Sequence, residues 1–340
     1  MEHRELGRTG VSVSKLCLGA MMFGAWGNPD HDESIRIIHA ALDAGINFID
    51  TADVYAAGES EQIVGKALAD GKRDDVVLAT KFYNAMGEDP NRRGASRRWI
   101  TRAVEDSLRR LNTDWIDLYQ LHRFDPHTDI DDTLAALTDL VHQGKIRYFG
   151  HSTFLASRIV EGQCAARDRN LQRFVTEQPP YSILVRAIEN DVLPTCRRHD
   201  MAVIPYSLLT GGWLSGRWRK DAGQQSSSRA DRLPERFDLA NPYNQQKLDA
   251  VEQLAQLADE ADLTLIQLAI AFVLDHPAIT SPLIGPRTME QLETQLAAAD
   301  VVLDEKLLDR IDEINPPGNT INPADNSWTN PDLEPASRRR

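Results

Sequence analysis

An α/β fold closed into a (β/α)8 barrel is predicted by three features of this 340-residue sequence. Short apolar runs, which suit buried parallel strands, alternate with helical patterns. Polar residues that could carry chemistry stand at or just after the ends of successive runs, from Asp50 to Tyr206, at intervals of 26 to 41 positions. A barrel of ~250 residues implies a repeat of about 31 positions. Because no break in composition interrupts this series, we expect a single barrel domain over residues 1–314 and an irregular C-terminal tail over residues 315–340.

The predicted elements begin with a β-hairpin that turns at GRTG, residues 7–10, and caps one end of the barrel. Eight barrel strands follow as short apolar runs at residues 16–18, 48–50, 76–81, 116–121, 146–152, 174–178, 202–207 and 282–285. Helices are predicted between and after them, with extra helices near the C-terminus, at about residues 34–44, 60–69, 97–111, 131–143, 244–261, 264–276 and 305–314. The irregular stretch from Arg217 to Tyr243 is long enough to be a binding loop or a lid.

The composition is that of an ordinary globular protein, with 41% hydrophobic and 26% charged residues. The formal net charge of -13 argues against a nucleic-acid partner or an anionic membrane partner. Neither the N-terminal segment nor any later run has the apolar length of a signal core or a membrane helix. The three cysteines, Cys17, Cys164 and Cys196, have no metal-binding or redox spacing. We therefore expect a cytoplasmic protein that binds a small molecule and no metal, with its oligomeric state left open.

Four of the strand-end residues, Asp50, Tyr55, Lys81 and His122, form one chemical unit. Barrel enzymes carry their active groups at the carboxyl ends of the strands. A phenol with a pKa near ~10 is a poor proton donor at neutral pH, and a neighbouring ammonium lowers that pKa. Lys81 is placed to do this for Tyr55, with Asp50 holding the lysine and His122 orienting a carbonyl oxygen.

Each of these residues also has an ordinary structural interpretation. Tyr55 could be a surface or packing residue and Lys81 a solvated charge. His122 could be a satisfied core histidine, and Asp50 could cap the turn that follows it. Because all four stand at successive strand ends in the right order, the sequence favours the catalytic interpretation.

Several segments together resemble one enzyme family. The segments GINFIDTADVYAAGESEQIVGKAL, VVLATK, LYQLHRFDP, KIRYFGHS and IGPRTMEQLE are similar to those of the aldo-keto reductase superfamily, in the bacterial branch related to potassium-channel β subunits. The resemblance covers roughly residues 3–314. It implies an NADPH-dependent oxidoreductase that reduces an aldehyde or ketone to an alcohol by hydride transfer, with Tyr55 as proton donor. It also implies cofactor binding without a Rossmann glycine fingerprint, and no GxGxxG follows a strand here.

The resemblance assigns cofactor contacts along the chain. Around the nicotinamide it implies Gly19, Ala20, Met21, Asp50, Ser152, Thr153 and Gln178, with Tyr206 stacked on the ring. Around the pyrophosphate it implies Ser207, Leu208, Leu209, Thr210, Gly211 and Gly212, with positive charge from Arg217 and Arg229. Around the adenosine it implies Gly285, Arg287, Gln291, Thr294 and Gln295. A guanidinium matches a phosphate monoester by bidentate hydrogen bonding, so Arg287 predicts a preference for NADPH over NADH.

Some of these positions depart from the usual family residues. Thr153 stands where asparagine is frequent, Thr294 and Gln295 replace a Glu–Asn pair, and Ala20 replaces a common threonine. A solvated loop arginine is the alternative for Arg229.

Two alternative functions stay open at this point. One is reduction of a conjugated C=C bond in a nucleotide sugar, although His122 favours carbonyl chemistry, since steroid C=C reductases of the family carry an acidic residue there. The other is a regulatory module that holds NADPH and turns over slowly, against which the intact set of four residues weighs.

Overall fold

The computed structural model describes residues 1–225, 228–327 and 335–338. They fall into two units. The first comprises residues 1–179, 191–206 and 277–299, and the second comprises the described residues of 180–190, 207–276 and 300–340. The expectation of one domain over residues 1–314 stays a prediction.

The first unit is built on ten strands. The strands are β1 (His3–Glu5), β2 (Ser12–Ser14), β3 (Cys17–Gly19), β4 (Phe48–Asp50), β5 (Val77–Phe82), β6 (Ile116–Leu121), β7 (Ile146–Ser152), β8 (Thr176–Gln178), β9 (Ala202–Val203) and β10 (Leu283–Ile284). The first two pair antiparallel as the predicted hairpin. The other eight form one parallel sheet in the order β10-β3-β4-β5-β6-β7-β8-β9.

Backbone hydrogen bonds close this sheet between its two ends. The Thr280 N–H donates to the Val203 carbonyl and the Leu283 N–H to the Pro205 carbonyl, each at 2.8 Å. The predicted (β/α)8 barrel is thereby confirmed. Leu6 and Val13 of the hairpin are buried in one cluster with residues from the amino-terminal halves of the strands, among them Phe48. The hairpin therefore caps that end, and the carboxyl ends of the strands are left for a site.

Six helices alternate with the strands from β3 to β9, as a barrel requires, and further helices follow along the chain. They are α1 (His31–Asp43), α2 (Glu59–Ala67), α3 (Arg97–Leu111), α4 (Ile130–His142), α5 (Ala156–Asp168), α6 (Val192–Arg198), α7 (Ser228–Arg232), α8 (Pro234–Phe237), α9 (Pro242–Glu260), α10 (Leu265–Asp275), α11 (Met289–Leu296), α12 (Glu305–Ile314) and α13 (Pro335–Arg338). Helix α1 begins three residues earlier than expected because the Asp30 carboxylate caps it, accepting from the Glu33 N–H at 2.9 Å. In the part of the chain that the structure describes, no helix is both long and apolar enough to cross a membrane.

The second unit holds α7 to α10, α12 and α13. It contains a stack of Trp213 on Trp218, with ring centroids 4.1 Å apart. The fully buried Lys247 lies 4.3 Å above the Trp213 ring and pairs with Asp325 at 2.7 Å. Asp325 lies in a short helical turn, Pro323–Asn326, so part of the predicted irregular tail is fixed by a buried ion pair.

Candidate active site

The barrel strands bring the four predicted catalytic residues together at their carboxyl ends. Asp50 ends β4, Lys81 lies in β5, and His122 directly follows β6. Tyr55 opens a helical turn, Tyr55–Gly58, that follows β4. The Tyr55 ring lies edge-on to the His122 ring, with 5.8 Å between centroids and 82° between planes.

Lys81 is the centre of this group. Its side chain is fully buried and its ammonium forms an ion pair with the Asp50 carboxylate. The same ammonium donates to the Thr51 carbonyl oxygen at 2.8 Å and to the Tyr55 hydroxyl oxygen at 3.3 Å. Burial opposes the charge on Lys81, but Asp50 and Tyr55 outweigh it, and the pKa of Lys81 is raised above its ordinary value. Lys81 is therefore a cation at neutral pH.

Asp50 is held by two amides besides the lysine. The side-chain amides of Gln120 and Gln178 each donate to the Asp50 Oδ2 at 2.9 Å. Gln120 is absent from the residues that the sequence predicted for the site. Its position could have indicated this role. Gln120 lies in β6 two residues before His122, and alternate residues of a strand share a face.

His122 is positioned as a neutral hydrogen-bond donor. Burial, with the nearby charges of Lys81 and Arg123, holds the pKa of His122 well below its ordinary value. The Asn84 side-chain amide donates to the His122 Nδ1 at 3.0 Å, so the neutral ring carries its proton on Nε2. Asn84, in the loop after β5, is a second residue that the sequence analysis missed.

Two opposing effects act on the Tyr55 hydroxyl. Burial raises the pKa of Tyr55, and the Lys81 ammonium lowers it. Only the second of these effects was predicted from the sequence. In the protein by itself burial is the larger effect, so the pKa of Tyr55 lies above its ordinary value. Tyr55 therefore carries its proton at neutral pH, which a proton donor requires.

The residues predicted around the nicotinamide also meet at this end of the barrel. The Ser152 hydroxyl donates to the Gln178 carbonyl oxygen at 2.8 Å, and the Thr153 and Tyr206 hydroxyl oxygens are 3.2 Å apart. Gly19 ends β3, and the next residue, Ala20, donates its N–H to the Asp50 carbonyl oxygen at 2.8 Å. Met21, half-buried, follows directly.

The residues predicted around the adenosine lie together after β10. Gly285 and Arg287 are exposed in the turn that leads to α11. The Arg287 backbone is fixed on both sides: its N–H donates to the Gln291 Oε1 at 2.9 Å, and its carbonyl oxygen accepts from the Asn28 side-chain amide at 2.8 Å. Among the residues that the structure describes, no carboxylate pairs with the Arg287 guanidinium, so it is available to an anion.

The last two adenosine predictions fall on α11 and have different surroundings. The Thr294 hydroxyl donates back to the Glu290 carbonyl oxygen at 2.8 Å, within the helix. Gln295 is buried.

The residues predicted around the pyrophosphate lie in the second unit, from Ser207 to Arg217. Four of them have a left-handed backbone: Ser207 (φ 66), Thr210 (φ 47), Gly211 (φ 69) and Gly212 (φ 105). Two of these residues use their backbone N–H inside the segment: Thr210 donates to the Ser207 carbonyl oxygen at 2.7 Å, and Gly212 donates to the Leu209 carbonyl oxygen at 2.9 Å. Leu208 is buried and Leu209 half-buried between these turns, and Arg217 is exposed. The side chain of Arg229 lies outside the described residues.

Comparisons with known proteins identify the family of this chain. The model of the family described as "Aldo/keto reductase family" matches residues 15–316. The chain is 40% identical over 340 residues to a Bacillus subtilis protein named uncharacterized oxidoreductase YrpG, covering 96% of this chain and 100% of the relative. It is 37% identical over 297 residues to the aldo-keto reductase YhdN of Bacillus subtilis, covering 86% and 87%. It is 34% identical over 327 residues to a probable voltage-gated potassium channel subunit beta of Arabidopsis thaliana, covering 92% and 96%. This chain belongs to the aldo/keto reductase family.

Proposed function

We propose that this protein is an NADPH-dependent reductase that converts an aldehyde or ketone into an alcohol, with Tyr55 as the proton donor. One observation carries the proposal. The buried Lys81 ammonium, paired with Asp50, reaches the Tyr55 hydroxyl oxygen at 3.3 Å. A phenol, a cation and a neutral imidazole at one barrel mouth are the groups that carbonyl reduction needs.

Each residue has a separate task in this chemistry. The Nε2–H of His122 donates a hydrogen bond to the carbonyl oxygen and turns it toward Tyr55. Tyr55 then gives its proton to that oxygen, and the Lys81 ammonium stabilises the phenolate that remains. Asp50 keeps Lys81 charged and in place. NADPH, when bound, supplies the hydride.

The residues present suit a phosphorylated dinucleotide. The Tyr206 hydroxyl is anchored to Thr153, which fixes a flat, half-buried ring beside the strand ends. The guanidinium of Arg287, which pairs with no carboxylate among the described residues, is suited to the 2′-phosphate. In the second unit, residues 207–212 are the segment that the resemblance to the family assigns to the pyrophosphate. Ser152, Gln178, Gln291 and the other predicted contacts stay part of the proposal.

The proton-donor role is tested by Tyr55→Phe. The variant should bind NADPH as the wild type does, while kcat for carbonyl reduction falls by ~10²- to 10⁴-fold. NADPH binding is measured by its fluorescence and kcat by NADPH consumption across a panel of aldehydes and ketones. Tyr243→Phe, at a tyrosine that is 49% exposed, is the matched control. Retained kcat in Tyr55→Phe would remove Tyr55 from the mechanism.

The cofactor preference is tested separately by Arg287→Met. A hydrogen bond to a charged group is worth ~1.5–3 kcal/mol, so the Michaelis constant for NADPH should rise by about 10-fold or more. The Michaelis constant for NADH should stay almost unchanged, because NADH lacks the 2′-phosphate. Arg102→Met, on the exposed face of α3, controls for the loss of one positive charge. An equal rise for both cofactors would show that Arg287 does not recognise the 2′-phosphate.

A second candidate function is a regulatory module that binds NADPH and reduces carbonyls slowly. The relatives from Arabidopsis thaliana and from rice that are named as probable potassium channel β subunits, 34% and 33% identical, favour it. Turnover separates the two candidates. A reductase consumes NADPH rapidly with its preferred carbonyl class, whereas a regulatory module binds NADPH tightly and reduces good aldehydes very slowly.

A further inference from the structure

Arg123 places a guanidinium directly beside the catalytic group. It follows His122 at the carboxyl end of β6 and is half-buried. Its Nη1 donates to the His122 carbonyl oxygen at 2.7 Å, to the Thr153 hydroxyl at 3.2 Å and to the Ser152 hydroxyl at 3.4 Å. The guanidinium is therefore held between the catalytic histidine and the residues predicted to hold the nicotinamide.

This cation has no carboxylate partner in the part of the chain that the structure describes. Over residues 1–225, 228–327 and 335–338, no carboxylate oxygen lies within ion-pairing distance of the Arg123 guanidinium. The nearest acidic residue in sequence, Asp125, is occupied elsewhere: its carboxylate accepts from the Ala95 N–H at 2.7 Å and the His127 N–H at 3.0 Å. The Asp50 carboxylate is occupied by Lys81 and two amides. Among the described residues, the Arg123 guanidinium is therefore left without an acidic partner, in a chain whose net charge is -13.

The charge of Arg123 contributes to lowering the pKa of both Tyr55 and His122. Its three hydrogen bonds all come from Nη1, so among the described residues Nε and Nη2 have no hydrogen-bond partner. An edge of the guanidinium is therefore free to form a bidentate contact with an anion.

We propose that Arg123 binds the carboxylate of the substrate, and that the preferred substrates are aldehydes or ketones that carry a carboxylate. This inference rests on the proposed carbonyl reductase function and specifies its substrate class. A single guanidinium balances the single negative charge of a carboxylate and matches its two oxygens. Arg123 does not repel a neutral aldehyde or ketone. Neutral substrates would therefore also be reduced, but without the binding energy of the carboxylate contact.

The test compares two aldehydes of similar shape and reactivity. We would measure kcat/KM, with NADPH, for the anionic 4-carboxybenzaldehyde and for its neutral methyl ester, in wild type and in Arg123→Met. The wild type should favour the anion, and the variant should lower the anion-to-ester ratio by about 10-fold or more. The ratio is the correct readout, because removing Arg123 also changes the electrostatics at Tyr55 for both substrates. Arg123→Lys should keep part of the preference, and Arg102→Met should leave the ratio unchanged.

A binding measurement tests the same inference without turnover. Calorimetric titration of the NADP⁺-saturated enzyme with benzoate, and with benzamide as the neutral control, reports the anion site directly. Benzoate binding that is selective in wild type and lost in Arg123→Met supports the proposal, even if the enzyme consumes no NADPH with any aldehyde. That combination would overturn the reductase function and leave the carboxylate site standing.

Three results would overturn the proposal. The first is a wild-type enzyme that does not favour the anionic aldehyde and binds benzoate no better than benzamide. The second is an equal loss of kcat/KM for both aldehydes in Arg123→Met, with the ratio unchanged. The third is a rise in the Michaelis constant for NADPH with no change in the ratio, which would place the Arg123 contact on the cofactor. The first result is measured on the wild type alone, so the proposal can be refuted even if the Arg123 variants fail to fold.

Discussion

The Asp50→Asn variant should destabilise the protein strongly, because it breaks a buried ion pair from one side. Asp50 is 1% exposed and Lys81 is 0% exposed. In the variant the ammonium has only uncharged acceptors, among them the Thr51 carbonyl oxygen at 2.8 Å and the Tyr55 hydroxyl at 3.3 Å. Removing one partner of a buried pair typically costs ~3–5 kcal/mol. We expect a loss of this size in the free energy of unfolding at pH 7.

The same variant should show a distinctive dependence on pH. In wild type the pKa of Lys81 is raised, since Asp50 and Tyr55 outweigh the effect of burial. The stabilisation from this pair is therefore fully present below the unfolded lysine pKa of ~10.4 and is lost as pH rises through the folded value. In Asp50→Asn the main cause of the raised pKa is gone, so burial lowers it and Lys81 loses its proton earlier. The difference between wild type and variant should shrink as pH rises from 7 toward 10.

Urea unfolding at pH 7 and pH 9.5, followed by tryptophan fluorescence, measures both effects. Asp139→Asn is the control, because the ion pair of Asp139 with Arg97 is about half exposed and exposed pairs contribute little. A loss below about 1 kcal/mol at pH 7 would contradict the assignment of a charged, desolvated pair. A destabilisation that grows with pH would contradict the sign of the Lys81 shift.

Three further outcomes follow from other contacts. Because burial raises the pKa of Tyr55, kcat for carbonyl reduction should stay flat from pH 7 to about 9 and fall only above ~10, and a fall near pH 7 would contradict this. Asp325→Ala should cost ~3–5 kcal/mol in urea unfolding, since it leaves the fully buried Lys247 without its carboxylate, and a change near zero would contradict a stabilising role of this ion pair. Gly65→Ala should cost ~1–3 kcal/mol in thermal unfolding, because the new Cβ would lie 2.6 Å from the Leu111 carbonyl oxygen, and an unchanged melting temperature would contradict that close packing.

Most of the barrel could be predicted from the sequence because strand ends coincide with the ends of apolar runs. Strands β4 and β6 occur at the predicted residues. The seventh barrel strand is an exception, since residues 202–207 were predicted and only Ala202–Val203 form the strand. Pro205 has no N–H to donate, so regular pairing cannot continue through it. The apolar pattern alone carries no information about that missing donor.

The residues proposed to be catalytic could be predicted from the sequence, whereas the residues that hold them in place could not. Lys81 and His122 stand at strand ends, and the end of a strand is visible in one sequence. The contacts of Gln120 and Gln178 with Asp50 cross the barrel interior between β6, β8 and β4, and they depend on the register of strands that are distant in sequence. Register is a property of the closed sheet, which explains why Gln120 was missed and why Gln178 has a contact that the sequence did not indicate.

The backbone turn that positions Tyr55 is the part of the site least favoured by local conformational preferences. Ala56 (φ 47) and Ala57 (φ 56) follow it in the left-handed region, where each non-glycine residue costs roughly 1–2 kcal/mol. Tertiary contacts hold the turn in this form: the Ser60 hydroxyl donates to the Ala20 carbonyl oxygen at 2.7 Å and lies 2.9 Å from the Thr51 hydroxyl. These bonds tie the segment after Tyr55 to the ends of β3 and β4. Backbone strain that the surroundings enforce concentrates at functional sites, and here it fixes the phenol beside the Lys81 ammonium.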